Sequence, residues 1–342
     1  MLDERKRIIL YALVHDYIMT AAPVGSARLV QKYKLGISAA TVRHELAALE
    51  EMGYLYQPHT SAGRIPTDEG YRFYVDSLKE VSSGLSNAEQ RWVQQSFTSL
   101  NKEMTDLMRK TSTLLSQMTN YVAIVLSPAL KRSAIKHLDL VSISPRSVLV
   151  VVITETGCVV KQVIELKEDA SSEDVRRIEE LLNEKLASKS AAQIRRGADI
   201  RTSPPLTPLV DILLDTVLEL LEEEDEADRV FLEGTAMMLK QPEFGKLARV
   251  QSLLETLEKG YTMLGLLGDV LQTQTLLVRI GAENPQKEIQ ECSLVAANYH
   301  LGEDTLGAIG LLGPTRMNYL RAISAVECVA QNLNEVLDSM RS

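Results

Sequence analysis

Cysteine is scarce in this chain of 342 residues: Cys158, Cys292 and Cys328 make up the set, odd in number and scattered, with no CxxC or Cys/His ligand spacing. That argues against structural zinc and against a disulfide framework. Long apolar runs are also missing. The run VLVVVI, Val148 to Ile153, falls far short of the roughly 20 residues that cross a bilayer, so neither a membrane span nor a membrane partner is expected. The opening MLDERKRIIL sets acids and bases ahead of a short apolar stretch and has no small-residue cleavage site. A secretory signal is therefore not expected, and the cytoplasm is the expected compartment. No GxGxxG follows a strand pattern, and GxxxxGK[ST], HExxH and GxSxG do not occur; Gly245-Lys246 follows no glycine-rich loop. The expectation is a chain that is not an enzyme and needs no cofactor or metal.

Positive charge is in deficit too, with 37 Lys+Arg against 46 Asp+Glu and a formal net charge of -9. Such a balance opposes a general nucleic-acid coat. The deficit is uneven, however. Residues 1–80 hold 10 basic and 10 acidic side chains, so the other 262 residues, with 27 against 36, carry all of it. A neutral N-terminal part can bind DNA if its bases cluster on one face, at the expense of non-specific affinity.

Hydrophobic residues make up 45% of the chain, enough for real cores, and the length fits two or three domains. In the first eighty residues, Leu10, Leu13, Val14 and Tyr17 recur at helical spacing, which predicts a helix over Asp3 to Thr20 ended by Ala-Ala-Pro-Val-Gly. Ser26 reads as the N-cap of a short second helix carrying Leu29, Val30 and Tyr33 and stopping at Leu35-Gly36. Ser38 caps a third helix with Val42, Leu46 and Leu49 inward and Gly53 beyond its end. This is a helix-turn-helix pattern. At 100° per residue, Ala40 and His44 point away from the core stripe, flanked by Thr41 and Arg43. Ala39 and Ala40 are small enough to let the helix end sink into a major groove, where Arg, His and Thr can donate to bases and phosphates.

The next segment, YLYQPHTSAGRIPT, reads as a wing: a strand over Tyr54 to Gln57, a tight small-residue loop over Pro58 to Gly63, and a return through Arg64-Ile65 that Pro66 ends. Arg64 near the tip, beside a glycine that permits close backbone approach, suits a minor groove. Thr67 then caps a helix with Tyr71, Tyr74, Val75 and Leu78 inward. The expected DNA-contact set is Ser26, Ser38, Ala39, Ala40, Thr41, Arg43 and His44 on the helices, with His59, Thr60, Ser61, Gly63 and Arg64 on the wing. His15 carries no expected role, since nothing around it suggests a ligand.

The segments PVGSARL, GISAATVRHELAALEEMGYL, HTSAGRIPTDEGYRFYVDSL and LGPTRMNYLRAISAVECVAQNL resemble the HrcA family of heat-inducible transcription repressors, and SAGRIPTDEGYRFYVD is a highly specific string. The likeness runs from end to end. It implies a repressor of chaperone operons of the dnaK and groE type, bound as a homodimer to an inverted-repeat operator in double-stranded DNA and dependent on a GroE-type chaperonin. Carried over by position, the recognition helix is Ser38 to Met52 and the wing His59 to Ile65.

Beyond the Ser/Gly-rich linker Val81 to Asn87, apolar residues from Val93 to Met118 alternate in steps of four and three, broken at Thr111. That long helix pairs with a mate in a dimer or covers its own sheet; the spacing fits both. Strands are expected over Tyr121–Leu126, Ile135–Ile143, Val148–Thr154 and Cys158–Leu166, the last two joined at Glu155-Thr156-Gly157, and later at Leu276–Ile280, Cys292–Tyr299 and Leu306–Leu311. Helices are expected over Ser172–Leu186 and Arg316–Met340. Together these suggest one α+β domain split by a mostly helical insertion behind Pro204, Pro205 and Pro208, with the acidic run Glu222 to Asp228 a solvated helix end. The expected division is an N-terminal winged helix-turn-helix domain at 1–82, a first part of the split domain at 88–200, an insertion at 201–270 and a second part at 271–342. In the resembling family the split domain is GAF-like and the insertion dimerises. A metabolite-responsive regulator, with the GAF-like domain binding the ligand, is the alternative.

Overall fold

The computed structural model describes residues 2–60, 62–78, 84–98, 103–130, 133–197, 207–222, 229–238, 241–244, 247–258, 260–272, 276–301 and 304–341. It is a mixed helix-and-sheet structure with three sheets and three hydrophobic clusters among those residues.

The N-terminal unit begins with α1 (Glu4–Thr20), opened by Asp3, whose carboxylate accepts from Lys6 N at 2.8 Å. Next come α2 (Ser26–Tyr33), α3 (Ala39–Glu51), a hairpin of β1 (Leu55–Tyr56) and β2 (Ile65–Pro66), and α4 (Asp68–Ser77). Leu10, Leu13, Val14, Leu29, Val42, Leu46, Leu49, Tyr71, Tyr74 and Val75 are all buried in its core, as their spacing predicts. Two local expectations need correction. Ser26 is the first residue of α2, and Gly25 occupies the cap position. The helix ends at Tyr33, because Lys34 enters the left-handed region at φ 49°.

The five-stranded sheet has the order β7-β3-β10-β9-β8, all neighbours antiparallel: β3 (Val122–Leu126), β7 (Val230–Glu233), β8 (Leu277–Ile280), β9 (Cys292–Leu301) and β10 (Asp304–Pro314). Successive strand residues face opposite ways. Ala123 and Val125 of β3 therefore join the layer that holds α6 (Met104–Thr119) and α13 (Tyr319–Arg341), while Val122, Ile124 and Leu126 join the layer of α11 (Leu247–Glu258) and α12 (Gly260–Gln272). A strand buried on both faces reads as a continuous apolar run, as β3 (VAIVL) does; β9 is buried almost throughout as well, although it carries Ser293, Asn298 and His300.

The third unit is a separate sheet, β4 (Ile135–Ser144), β5 (Ser147–Thr154) and β6 (Val159–Glu165) in antiparallel order β4-β5-β6. Val148, Val150 and Val152 face α7 (Ser172–Leu186), α8 (Ala191–Gly197) and α9 (Thr207–Glu222) and share a core with them. The strands of 135–165, read from the sequence as part of one split α+β domain with the late strands, form a sheet of their own. Of the expected insertion 201–270, α9 packs on this small sheet, whereas α11 and α12 pack on the large one. Burial alternates strictly along β5, as a sheet with one covered face requires, while β3 is buried throughout; both read as apolar runs, so the sequence did not separate them. The strand β7, followed at once by the single turn α10 (Thr235–Met238), was not anticipated. Ser61, Leu100, Pro204, Pro205, Gly245-Lys246 and the acidic run beyond Glu222 lie outside the described residues.

The expected long helix is two helices, α5 (Asn87–Thr98) and α6. Among the described residues, Leu107, Leu114 and Met118 of α6 point into the layer shared with α13 and the large sheet. Within this chain, α6 covers its own sheet.

Candidate nucleic-acid interface

Helix α3 is held from behind by its buried stripe, so its other face is free. Ala40, Arg43 and His44 are exposed there, with Ala39 and Thr41 partly so. Ser38 sets the start of the helix: its Oγ accepts from Thr41 N at 3.1 Å and lies 2.9 Å from Thr41 Oγ1. The cap ties down an otherwise unsatisfied backbone donor and orients the first turn. Past Met52, Gly53 at φ 85° turns the chain toward β1.

The hairpin pairs Leu55 with Pro66 and Tyr56 with Ile65. Its loop is braced from within, by Ala62 N donating to His59 O at 2.8 Å and by Gln57 Nε2 donating to Thr60 O at 3.0 Å and Ala62 O at 2.8 Å. His59 and Thr60 are exposed at the outer end. The brace by Gln57 was missed in the sequence, although a glutamine just before a small-residue loop was its visible trace.

Three members of the expected contact set sit differently. Ser26 is only 7% exposed, so it does not present its hydroxyl beside α3. Gly63 does allow a close approach, but to this chain's own backbone: a Cβ there would lie 2.7 Å from Val24 N. Val24 and Arg64 pair as an isolated antiparallel bridge, N to O at 2.9 Å in both directions, adding a third rung beside the hairpin. Arg64 is thus at the foot of the hairpin, and its guanidinium pairs with Glu50 of α3 at 2.8 Å. Because the segment before α2 lies against the hairpin, the arginine is drawn inward and away from the tip.

Asp16 was also overlooked. It lies on the buried face of α1, fully enclosed, and takes ion pairs from Arg28 and Lys32 of α2. Burial alone would raise its carboxyl, but the Arg28 and Lys32 hydrogen bonds outweigh that and hold it below the usual carboxylate range. An acid on an apolar helix face needs a cation partner, and that was the available signal. His15 Nδ1 meets Tyr33 Oη at 2.8 Å, and burial, helped by the Lys32 charge, keeps its imidazole below the ordinary value. Its role is packing between α1 and α2. Among the described residues no group of His, Cys, Asp and Glu is arranged to hold a metal ion, and no helix is long and apolar enough to cross a membrane.

The unit is docked firmly on the large sheet. Arg72 Nε donates to Glu283 Oε1 at 2.9 Å and Arg72 Nη2 to Val278 O at 2.7 Å, while Ala282 N donates to Asp68 at 2.9 Å. From the other side Arg316 Nη1 reaches Ile18 O at 2.9 Å, at the end of α1.

Comparison with known proteins gives the class first: this is a transcription repressor. A model of the HrcA protein C-terminal domain matches residues 105–323. The chain is 39% identical to the heat-inducible transcription repressor HrcA of Desulforamulus reducens, over 98% of this chain and 97% of that one. It is 40% identical to the protein of that description from Pelotomaculum thermopropionicum, with the same coverage. A crystal structure described as a hypothetical protein at 2.2 Å resolution superposes with a TM-score of 0.71 at 26% identity, covering 99% of this chain and 100% of that one. The chain belongs to the HrcA family of heat-inducible transcription repressors. These homologues are repressors rather than enzymes.

Proposed function

We propose that this repressor reads an inverted-repeat operator as a homodimer, with α3 of a winged helix-turn-helix in the major groove and the hairpin loop against the minor groove. The observation that carries the reading is the outer face of α3, where Arg43 and His44 stand exposed behind a small-residue first turn capped by Ser38. Thr41, Arg43 and His44 contact base edges and phosphates; His59 and Thr60 approach through the wing. The unit around the large sheet is a GAF-like platform, and the family resemblance adds chaperone operons as targets and a GroE-type chaperonin as the activating partner. Fluorescence anisotropy tests this, using the inverted repeat upstream of the host's chaperone operon against a scrambled duplex at physiological salt, with and without chaperonin. Selective binding strengthened by chaperonin is the expected result. Equal binding to both duplexes in both conditions overturns it.

The outer face of the small sheet supports the homodimer. Val141, Ile143, Val159 and Val163 lie there, each between 50% and 58% exposed, which is unusual for large apolar residues clustered on one surface. The strand register lines up three rows across this face: Val141, Leu149 and Val163; Asp139, Val151 and Lys161; His137, Ile153 and Val159. A two-fold axis parallel to β5, with the sheets about 10 Å apart, stacks Val151 on its own copy. The same axis sets Asp139 against Lys161 of the partner subunit, and Lys161 against the partner's Asp139. An axis across the strands would oppose Asp139 to itself. Sedimentation should give a dimer for the native chain, a weakened one for Asp139→Lys, and recovery when Lys161→Asp is added. Unchanged dimerisation in Asp139→Lys and in Val163→Asp would rule this face out.

A further inference from the structure

The first eighty residues carry ten Lys and Arg, and the fold turns several of them away from the outer face of α3. Arg28 and Lys32 converge on Asp16, Arg64 is held by Glu50, and Arg72 by Glu283. Arg7 lines a hollow with Tyr11 and Phe73, about 200° around α1 from Arg5. With Arg64 drawn inward, the hairpin loop from Gln57 to Gly63 has no Lys or Arg of its own, and Arg43 is the one such residue on α3. Lys34 is exposed in the turn before α3, with no ion pair among the described residues to hold it. Phosphate contacts need cations, and neither α3 nor the hairpin loop supplies many.

The start of α1 supplies more. Arg5 Nη1 lies 3.7 Å from Glu45 Oε1 of α3, and Lys6 Nζ lies 3.1 Å from Glu45 Oε2. The Glu45 side chain is only 11% exposed, whereas that of Arg5 is 59% exposed, so the carboxylate sits beneath the surface and the guanidinium upon it. Around α3, Glu45 lies about 60° from Val42 on the side of Thr41, and Glu50 about 80° from Val42 on the side of Arg43. Each flank of the helix is therefore tied by one acid: Glu50 holds the foot of the hairpin, and Glu45 holds the start of α1. A helix in a major groove has a phosphate backbone along each side. The opposing charges in this first turn are Asp3 and Glu4. Asp3 is taken up by Lys6, whose backbone N and Nζ donate to it at 2.8 and 2.7 Å, and Glu4 is exposed.

We propose that Arg5 is a phosphate contact on the flank of α3 away from the hairpin, and that Glu45 is the positioning residue that holds it there. This rests on the reading of α3 as the major-groove helix, and it gives that helix a second region of backbone contact. An acid on such a helix would by its charge alone oppose binding. Set between two cations, Glu45 instead fixes an exposed guanidinium that would otherwise lose more rotamer freedom on meeting DNA. Arg5 meets Glu45 through Nη1, and the rest of its planar fork can take a phosphate.

Fluorescence anisotropy of the full chain on the inverted-repeat and scrambled duplexes, over a series of salt concentrations, tests this. Arg5→Ala should weaken binding to both duplexes about three- to tenfold at physiological salt, with a salt slope shallower by about one and unchanged selectivity. Arg5→Lys should regain most of the slope. Glu4→Gln removes a neighbouring negative charge and leaves the pair intact, so it should tighten binding. Glu45→Gln also removes a negative charge, yet should weaken binding about twofold or more through the freed arginine. Thermal unfolding confirms the fold of each variant. A native slope in Arg5→Ala, or a loss confined to the inverted repeat, overturns the phosphate contact; tighter binding by Glu45→Gln overturns the positioning role. A native chain that binds both duplexes equally defeats the operator reading instead, and the Arg5 slope is still measured on either duplex.

Discussion

Arg64 and Glu50 form an ion pair at 2.8 Å that ties the foot of the hairpin to the last turn of α3. The guanidinium is largely covered, its side chain only 16% exposed, and the neighbouring rung to Val24 fixes its backbone. Helix α3 and the hairpin, the two elements proposed to face DNA, are therefore tied to each other by this side-chain pair as well as through the backbone. Glu50→Gln should weaken operator binding even though Glu50 repels phosphate, and should cost about 1 kcal/mol of stability. Arg64→Ala should do both more strongly. Anisotropy alongside urea unfolding checks this; tighter binding by Glu50→Gln would mean that the pair does not position the wing.

Gly63→Ala places a methyl into the backbone of Val24, where nothing flexible can give way. The expected cost is about 2 kcal/mol or more, with the wing displaced from α2. Denaturant titration of the mutant and native chains measures it. An unchanged midpoint would mean that the Val24–Arg64 bridge is dispensable.

Asp16→Asn removes the charge that Arg28 and Lys32 surround. In the native chain the carboxyl lies below its usual range when folded and returns to that range on unfolding. Its contribution is therefore complete above the unfolded value and declines as pH falls through the folded one. At pH 7 the mutant should be less stable by about 2 kcal/mol, a figure discounted because both cations are partly exposed. The two melting temperatures should converge as the pH drops below about 4. A constant gap down to pH 2 would contradict the assignment.

Substitution of Thr41, Arg43 or His44 should relax base preference at defined operator positions, each by about 1 to 3 kcal/mol for a good base contact. Binding to an operator panel at several salt concentrations separates the cases. A uniform loss on every sequence with a shallower salt slope would make them phosphate contacts.

Much of the fold was legible because it is local. Helix α7 is observed over Ser172–Leu186, as its periodicity predicts, and β5 and β6 meet through Glu155-Thr156-Gly157, with Gly157 at φ 81°. The exposed face of α3 follows from 100° per residue and a three-residue core stripe. Reading failed where a pairing spans distant parts of the chain. Nothing near Arg64 in sequence announces Glu50 or Val24, nothing near Asp16 announces Arg28, and β7 lies against β3 across more than a hundred residues.

By itself, then, the amino-acid order determined most element types, the caps at Ser38 and Thr67, the inward stripes and the membership in a repressor family, since each depends on residues within a few turns of one another or on a contiguous string. Only the tertiary structure decided which strands share a sheet, that Arg64 turns to Glu50, that Gly63 serves Val24, and that Arg5 and Lys6 meet Glu45. These are contacts between residues tens to hundreds of positions apart. Their geometry is set by how the layers pack, which local propensity does not encode.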